Sequence, residues 1–476
     1  LLNQIDLLSK GVWKDKVDHS REGKTMRRIG FLLIACFLFF GSVIGCSNAG
    51  NKKTDATGTP GAGESQNTPK SGGDAPKSNE KVKLTYFSWD PSQEKVLNEM
   101  IQKFNKENPN IEVTMQSYAP ADYWPKISAL AAAGNAPDVF DMSSGYVDEW
   151  ASKGLLYDIQ KLVDRDIKPE NYFTSVFSAV RYPDKEKGDM YAFPYAWVTT
   201  VLFYNKDYFD KANLQYPNEN WTWDDFLNAA KKLTVDTNGD GKPDQWGFYL
   251  YGRYAHIEPW LYQNDGDILN PDKTQFVINE NGKETLQFLT DLTLKHKVSP
   301  APKDVKGIKQ EDLFPMGKVA MWVDGSFAID NVRKVAGDKF KWGISTIPKG
   351  PHFKQQVTYG WPDSYSISKN TKHVEEAWKF ILFMTGEARG AEHYQGGKVP
   401  VYKPVALSKE WLESDKQPDN KSLILEQGKY IGRNSYTKSW SEWRGYGAAE
   451  GSGLNGELDQ VFDGKKSLDA AIESVT

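Results

Sequence analysis

The chain has 476 residues, with 59 Lys and Arg against 63 Asp and Glu, a formal net charge of −4. A mildly acidic chain lacks the basic face of a nucleic-acid binder, so no nucleic-acid partner is expected. Its two cysteines, Cys36 and Cys46, both lie near the N-terminus, which leaves the rest without a disulfide or a Cys-bound metal. The count of rings is high, with 16 Trp, 23 Tyr and 23 Phe; most belong to cores, but Trp in such excess also lines ligand clefts.

The first residue is Leu1, whereas Met26 opens a recognisable leader: Arg27 and Arg28, an apolar run from Ile29 to Phe40, then Val43-Ile44-Gly45-Cys46. The run is shorter than the about 20 residues a membrane span needs, and it fits a removable signal peptide. The last four residues resemble the bacterial lipobox, in which the thiol of the cysteine carries a diacylglycerol. The expectation is therefore a non-native upstream segment over 1–25, a lipoprotein signal peptide over 26–45, and lipidation at Cys46. That would hold the protein on the extracellular face of the cell membrane. An uncleaved anchor with an incidental cysteine is the alternative. From Ser47 to Glu80 nothing apolar exceeds alanine; such a segment cannot bury enough surface to order itself, and 46–81 is expected to be a linker.

Val82 to Phe87 alternates as a strand. A helix follows with Val96, Leu97, Met100, Ile101 and Phe104 on one face, stopped by Asn108-Pro109-Asn110. Ile111 to Met115 alternates again, so a parallel pair with a right-handed crossover is predicted. Further helices are expected over Tyr123–Ala133, Tyr146–Ser152, Trp223–Leu233 with Thr222 as cap, and Val374–Thr385. Strands are expected over Asp138–Met142, Thr199–Tyr204, Val319–Val323 and Lys341–Ile347. The alternation predicts an α/β fold. No internal repeat is visible.

Five segments in order resemble the extracellular solute-binding proteins of family 1, the sugar-binding subunits of ABC importers. They are Phe104 to Val113, Gly134 to Val139, Phe193 to Phe209 with Trp221 to Phe226, Met316 to Trp322, and Ser366 to Phe380. The resemblance covers about residues 82–400, and Leu202 to Phe209 is its most specific part. It implies a two-lobed periplasmic-binding-protein fold of type II, with lobe 1 over 82–195 plus about 350–400 and lobe 2 over 196–349 plus about 401–476. The chain would cross near 194–197, 348–360 and 395–405. It further implies a monomer that binds carbohydrate, an oligosaccharide in preference to a simple sugar, and delivers it to ABC permease subunits as the cleft closes. Lining residues nominated from strand ends are Trp89, Asp90, Tyr123, Ser144, Tyr146, Trp197, Trp260 behind Arg253 and Tyr254, Asp324, Phe327, Trp361, Asp363 and Trp443, with Trp440 nearby. Val198 stands where the family carries a charge.

Asp236, Asn238, Asp240, Lys242 and Asp244 fall at EF-hand spacing with Gly241 in the sixth position, which would wrap a structural Ca²⁺. The twelfth position is Gly247, and Gln245 stands where acidic-sugar binders of the family have glutamate. A solvated turn is the alternative. No cofactor is required by the reading. The five histidines beyond the leader pair at no metal-ligand spacing, and no nucleophile elbow, P-loop or dinucleotide fingerprint is present. A secreted glycoside hydrolase or lyase, or a sensory or adhesive lipoprotein, stays open as an alternative.

Overall fold

The computed structural model describes residues 81–250, 254–394, 396–431, 433–446 and 451–475. Cys46, the leader, the linker up to Glu80 and Arg253 lie outside them.

Strand β1 (Val82–Ser88), helix α1 (Glu94–Glu107) and strand β2 (Ile111–Ser117) form the predicted unit, and β1 pairs β2 in parallel from Val82–Ile111 to Ser88–Ser117. The apolar face of α1 buries Leu97, Met100, Ile101 and Phe104. Its end is tied down twice. Asn108 Nδ2 donates to Phe104 O at 2.8 Å, and the Asn105 amide both accepts from Val113 N at 2.9 Å and donates to Val113 O at 3.1 Å. The Phe104–Val113 segment is thus a fastening of helix to strand. Helix α2 (Pro120–Ala132), strand β3 (Val139–Ser143) and helix α3 (Ser144–Ser152) follow. Between α2 and β3, Asp138 accepts from Thr85 N, Thr85 Oγ1 and Thr371 Oγ1 at 2.6–2.9 Å.

Strand β4 (Phe193–Asn205) is 13 residues long and buried throughout. It begins well before the Thr199 expected from its apolar run. The later elements are α4 (Trp223–Lys232), α5 (Tyr254–Gln263), α6 (Glu280–Leu294), β5 (Met321–Gly325), β6 (Trp342–Ser345), β7 (Gly360–Ile367) and α7 (Val374–Thr385). A two-residue strand β8 (Val399–Pro400) and helices α8 (Trp440–Arg444) and α9 (Gly453–Phe462) complete those used below. Thr222 caps α4 in a full capping box with Asp225. Asn205 caps the short helix over Lys206–Lys211 by accepting from Tyr208 N at 3.1 Å. The Tyr208 hydroxyl in turn donates to Gly317 O at 2.8 Å, joining two of the sequence motifs.

The sheet order is β8-β4-β7-β3-β1-β2, with β5 and β6 also on β4. From Phe193 to Thr199, β4 pairs with β7, and Ala196 and Trp197 pair β8. From Thr200 to Asn205 it pairs with β5 and β6 instead. One strand therefore serves two sheets, and the change of partner falls at Thr199–Thr200, slightly beyond the crossing expected near 194–197. Side chains alternate along the second half: Val201 and Phe203 join one apolar core, Leu202 and Tyr204 another. This is the period of a strand between two packed layers. The first core collects α1, β1–β3 and α7; the second collects Phe226, Ile257, Trp260, Leu286, Leu289 and Leu458 from α4, α5, α6 and α9. The fold is a mixed α/β one with two sheets meeting in one strand. Among the described residues no helix is long and apolar enough to cross a membrane.

Candidate functional site

The exits of β3 and β5 and the start of β7 gather the residues of interest. Strand β7 carries Trp361 opposite Val198 and Asp363 opposite Ala196 and Ser143. Strand β5 ends at Asp324 and Gly325, opposite Val201 and Thr200. The turn after it presents Phe327, which is 37% exposed, an uncommon position for a ring. Phe327 meets Trp361 edge to face at 6.3 Å. A β-carbon on Gly325 would lie 2.5 Å from the Phe327 ring and 3.0 Å from Trp361, so only glycine leaves both rings where they are. Asp324 accepts from Gly325 N at 2.6 Å and lies 3.4 Å from His256 Nε2 on α5.

From Trp361 a line of contacts leads across to α3. Tyr359 lies 5.4 Å from Trp361, ring to ring. The Tyr359 and Tyr436 hydroxyls are 3.5 Å apart, and Ser144 Oγ donates to Tyr436 Oη at 3.0 Å. Tyr146 stacks on Trp124 at 4.0 Å and meets Trp440 edge to face at 5.9 Å. Trp124 and Tyr123 both contact Trp89. A belt of rings thus runs from the end of β1, over α2 and α3, to α8. The segment that carries Tyr436 is held from the other side. Ser435 Oγ donates to Glu258 at 3.1 Å, and Arg444 pairs with Glu258 at 2.7 Å with both side chains fully buried. Burial pushes the Glu258 carboxyl up to about 7 against the pull of Arg444. Ser441 Oγ donates to Glu149 of α3 at 2.8 Å.

Behind Trp89 and Asp90 lies a small polar cavity lined by Tyr86, Ser88, Asp141, Tyr195 and Lys398. Asp141 accepts from Tyr86 Oη at 2.8 Å, Ser88 Oγ at 2.9 Å and Trp89 N at 3.0 Å. Burial raises its carboxyl to about 7 in spite of those donors and of Lys398. Lys398 pairs with Asp363 at 2.8 Å; burial works against its charge, and Asp363 keeps it raised.

Of the nominated residues, Asp324, Phe327 and Trp361 share one place, and Trp89, Asp90 and Asp363 share another. Ser144 and Tyr146 face the Tyr436–Tyr446 segment. Tyr123 is wholly buried and supports β3 by donating to Asp141 O at 2.6 Å. Trp443 is half-buried beside Phe276, and its Nε1 donates to Thr437 Oγ1 at 2.9 Å. Two nominations are corrected. Trp260 is fully buried among Phe226, Phe248 and Phe288, and Trp197 is 1% exposed against Phe173 with Gly428 pressed under its ring. Both fill cores, as a large ring at the centre of an element does. Tyr359 and Tyr436 were missed. Tyr359 had a signal, since it stands two residues before Trp361 and so on the same side of an extended chain. Tyr436 had none, lying in an irregular segment.

The loop with EF-hand spacing closes on its own N–H groups. Asp236 accepts from Gly239 N and Gly241 N, and Asn238 and Asp240 accept from Asp240 N and Lys242 N, all at 2.7–2.8 Å. Asp244 accepts from Thr237 N and Thr237 Oγ1 at 2.5–2.8 Å. Gln245 Nε2 donates to Leu233 O. The oxygens serve the loop's own N–H groups and keep further lone pairs; among the described residues no group of three His, Cys, Asp or Glu is placed to hold a metal.

Comparison with known proteins agrees with this architecture. A structure of an ABC substrate-binding protein from Listeria monocytogenes in complex with cycloalternan superposes with a TM-score of 0.72, 29% identity, and coverage of 83% of this chain and 97% of that one. The maltose/maltodextrin-binding domain of Bdellovibrio bacteriovorus bound to maltotriose gives 0.64 at 22% identity, covering 83% and 97%, a likeness of fold. In sequence, the multiple sugar-binding protein of Streptococcus mutans is 25% identical over 331 residues, 68% of this chain and 75% of that one. The family described as bacterial extracellular solute-binding protein matches residues 90–391. Since that match spans more than half of the sequence, the chain belongs to the bacterial extracellular solute-binding proteins.

Proposed function

We propose that the protein captures a carbohydrate, with an oligosaccharide as the first choice, and delivers it to the permease of an ABC importer. The observation that carries the reading is the continuous line Ser144–Tyr436–Tyr359–Trp361–Phe327, which alternates hydroxyl groups and rings from α3 to the end of β5. Rings accept the C–H faces of sugars, and hydroxyls and carboxylates meet their O–H groups. Relatives described as sugar-binding, and neighbours solved with cycloalternan and maltotriose, support that substrate class.

The work is differential binding between open and closed states, not bond chemistry. Lobe 1 over 82–195 plus about 350–400 and lobe 2 over 196–349 plus about 401–476 move about the connections between them as hinged bodies. Cys46, acylated, holds a monomer to the outer face of the membrane through the 46–81 linker. A thermal-shift screen of neutral and uronic mono- and oligosaccharides tests the reading. Stabilisation by a saccharide that the protein leaves uncleaved is expected. Cleavage products, or no saccharide response across the set, would overturn it. Mass spectrometry of the membrane fraction, with a diacylglyceryl adduct on Cys46, tests the anchor.

A further inference from the structure

A second open concavity lies away from Trp361 and Phe327. It is a groove of about 700 Å³ between the loop after the Lys206–Lys211 helix, the end of β6, the segment joining β6 to β7, and residues 420–430. That volume falls within the range of small-molecule sites. We propose that this groove is a second binding site, for a neutral saccharide.

The chemistry of the walls selects the class. Glu219 and Glu426 balance Lys349 and Lys429, so the groove carries no net charge to attract phosphate or a cation. Asn218, Asn220, Gln356 and Gln427 contribute amides, and Ser345 and Thr346 contribute hydroxyls. Such groups both donate and accept, as sugar hydroxyls require. Three rings, Tyr204, Phe353 and Tyr430, stand among them; Tyr204 is buried and Tyr430 is 41% exposed. An exposed ring bordered by amides, beside the apolar side chains of Pro217, Ile344 and Leu423, suits the C–H face of a pyranose whose hydroxyls meet the polar wall.

The walls are also pre-formed. The Asn420 side chain accepts from Ile344 N at 3.3 Å and donates to Ile344 O at 2.7 Å, which clamps one wall to β6. Gln356 Nε2 donates to Gln427 Oε1 at 3.3 Å across the groove, and Thr358 N donates to Tyr430 O at 3.1 Å. Lys349 Nζ lies 5.1 Å over the Phe353 ring and 3.4 Å from Asn220 Oδ1. A ligand would find these side chains already in place, which lowers the entropy cost of binding. The segment between β6 and β7 forms one wall, so an occupied groove stiffens a connection between the two sheets.

Isothermal titration of the whole protein with maltotriose and with mannotriose at millimolar concentration tests the proposal, independently of the reading of the Trp361 site. Two equivalents are expected for at least one of them, or one equivalent that persists in a Phe327→Ala/Trp361→Ala variant. Tyr430→Ala combined with Asn220→Ala, both at exposed positions, should weaken that equivalent by about tenfold and leave the thermal midpoint unchanged. Loss of all binding in the Phe327/Trp361 variant, an unaltered second equivalent in the Tyr430/Asn220 variant, or a response to inorganic phosphate in place of saccharide would each overturn it.

Discussion

Ser144 Oγ donates to Tyr436 Oη at 3.0 Å, and both side chains are buried. The bond joins the first turn of α3 to the segment leading into α8. Those two places are remote in sequence and belong to different sides of the proposed site. A buried neutral hydrogen bond contributes about 1 kcal/mol net. Ser144→Ala and Tyr436→Phe should each lower saccharide affinity several-fold. A double-mutant cycle read by titration calorimetry should return a coupling of about 1 kcal/mol. Strictly additive losses would mean that the pair does not hold the bound state.

Gly325→Ala should cost affinity without any backbone strain. The φ of Gly325 is −63°, open to any residue; only room is lacking, because Phe327 and Trp361 crowd the new methyl. The rings must shift, and overpacking of this kind costs about 1–3 kcal/mol. Phe327→Ala, at an exposed ring, should weaken saccharide binding with the thermal midpoint nearly unchanged. Equal affinity in both variants would move the site elsewhere.

Asp141 sets a pH dependence. Its carboxyl rises from 3.8 to about 7 on folding, chiefly through burial. A carboxyl raised in this way holds its proton more tightly folded than unfolded. Its stabilising contribution is complete below the unfolded value and is lost as pH climbs through about 7. The shift corresponds to a loss on the order of 4 kcal/mol. Urea midpoints should therefore fall from about pH 4 to about pH 7, and Asp141→Asn should flatten that fall. An unchanged slope in the variant would assign the dependence to another group, Glu258 being the next.

Asp244 is held below the usual carboxylate range by hydrogen bonds from Thr237. A lowered carboxyl stabilises above its unfolded value and loses that contribution as pH falls through the folded one. Asp244→Ala should lower the thermal midpoint equally in EDTA and in millimolar Ca²⁺. A midpoint of the unaltered protein that climbs with Ca²⁺, and a variant that does not respond, would favour the calcium reading over the solvated turn.

The elements near the N-terminus were legible because their periods are clean. The Leu97, Met100, Ile101, Phe104 stripe and the alternation of Val82–Phe87 each leave one arrangement open. Asn205 and Thr222 were legible as caps because their side chains have one short-range task. The rings divided less well. Phe327 follows the end of β5 and Trp361 stands at the start of β7, where rings stay partly open, whereas Trp260 and Trp197 lie in elements whose centres are core. What separates them is burial by distant helices, which local sequence does not encode. The EF-hand spacing leaves two readings open for a related reason: the same Asp and Asn residues that ligate a cation also close turns on their own N–H groups.

Strand β4 also governs how the protein melts. Its first half is hydrogen-bonded to β7 and β8 and its second half to β5 and β6, while its side chains feed both apolar cores. Unravelling either half strips partners from the very strand on which the other depends. Despite two sheets and two cores, residues 82–475 should unfold in a single cooperative transition, with calorimetric and van't Hoff enthalpies that coincide.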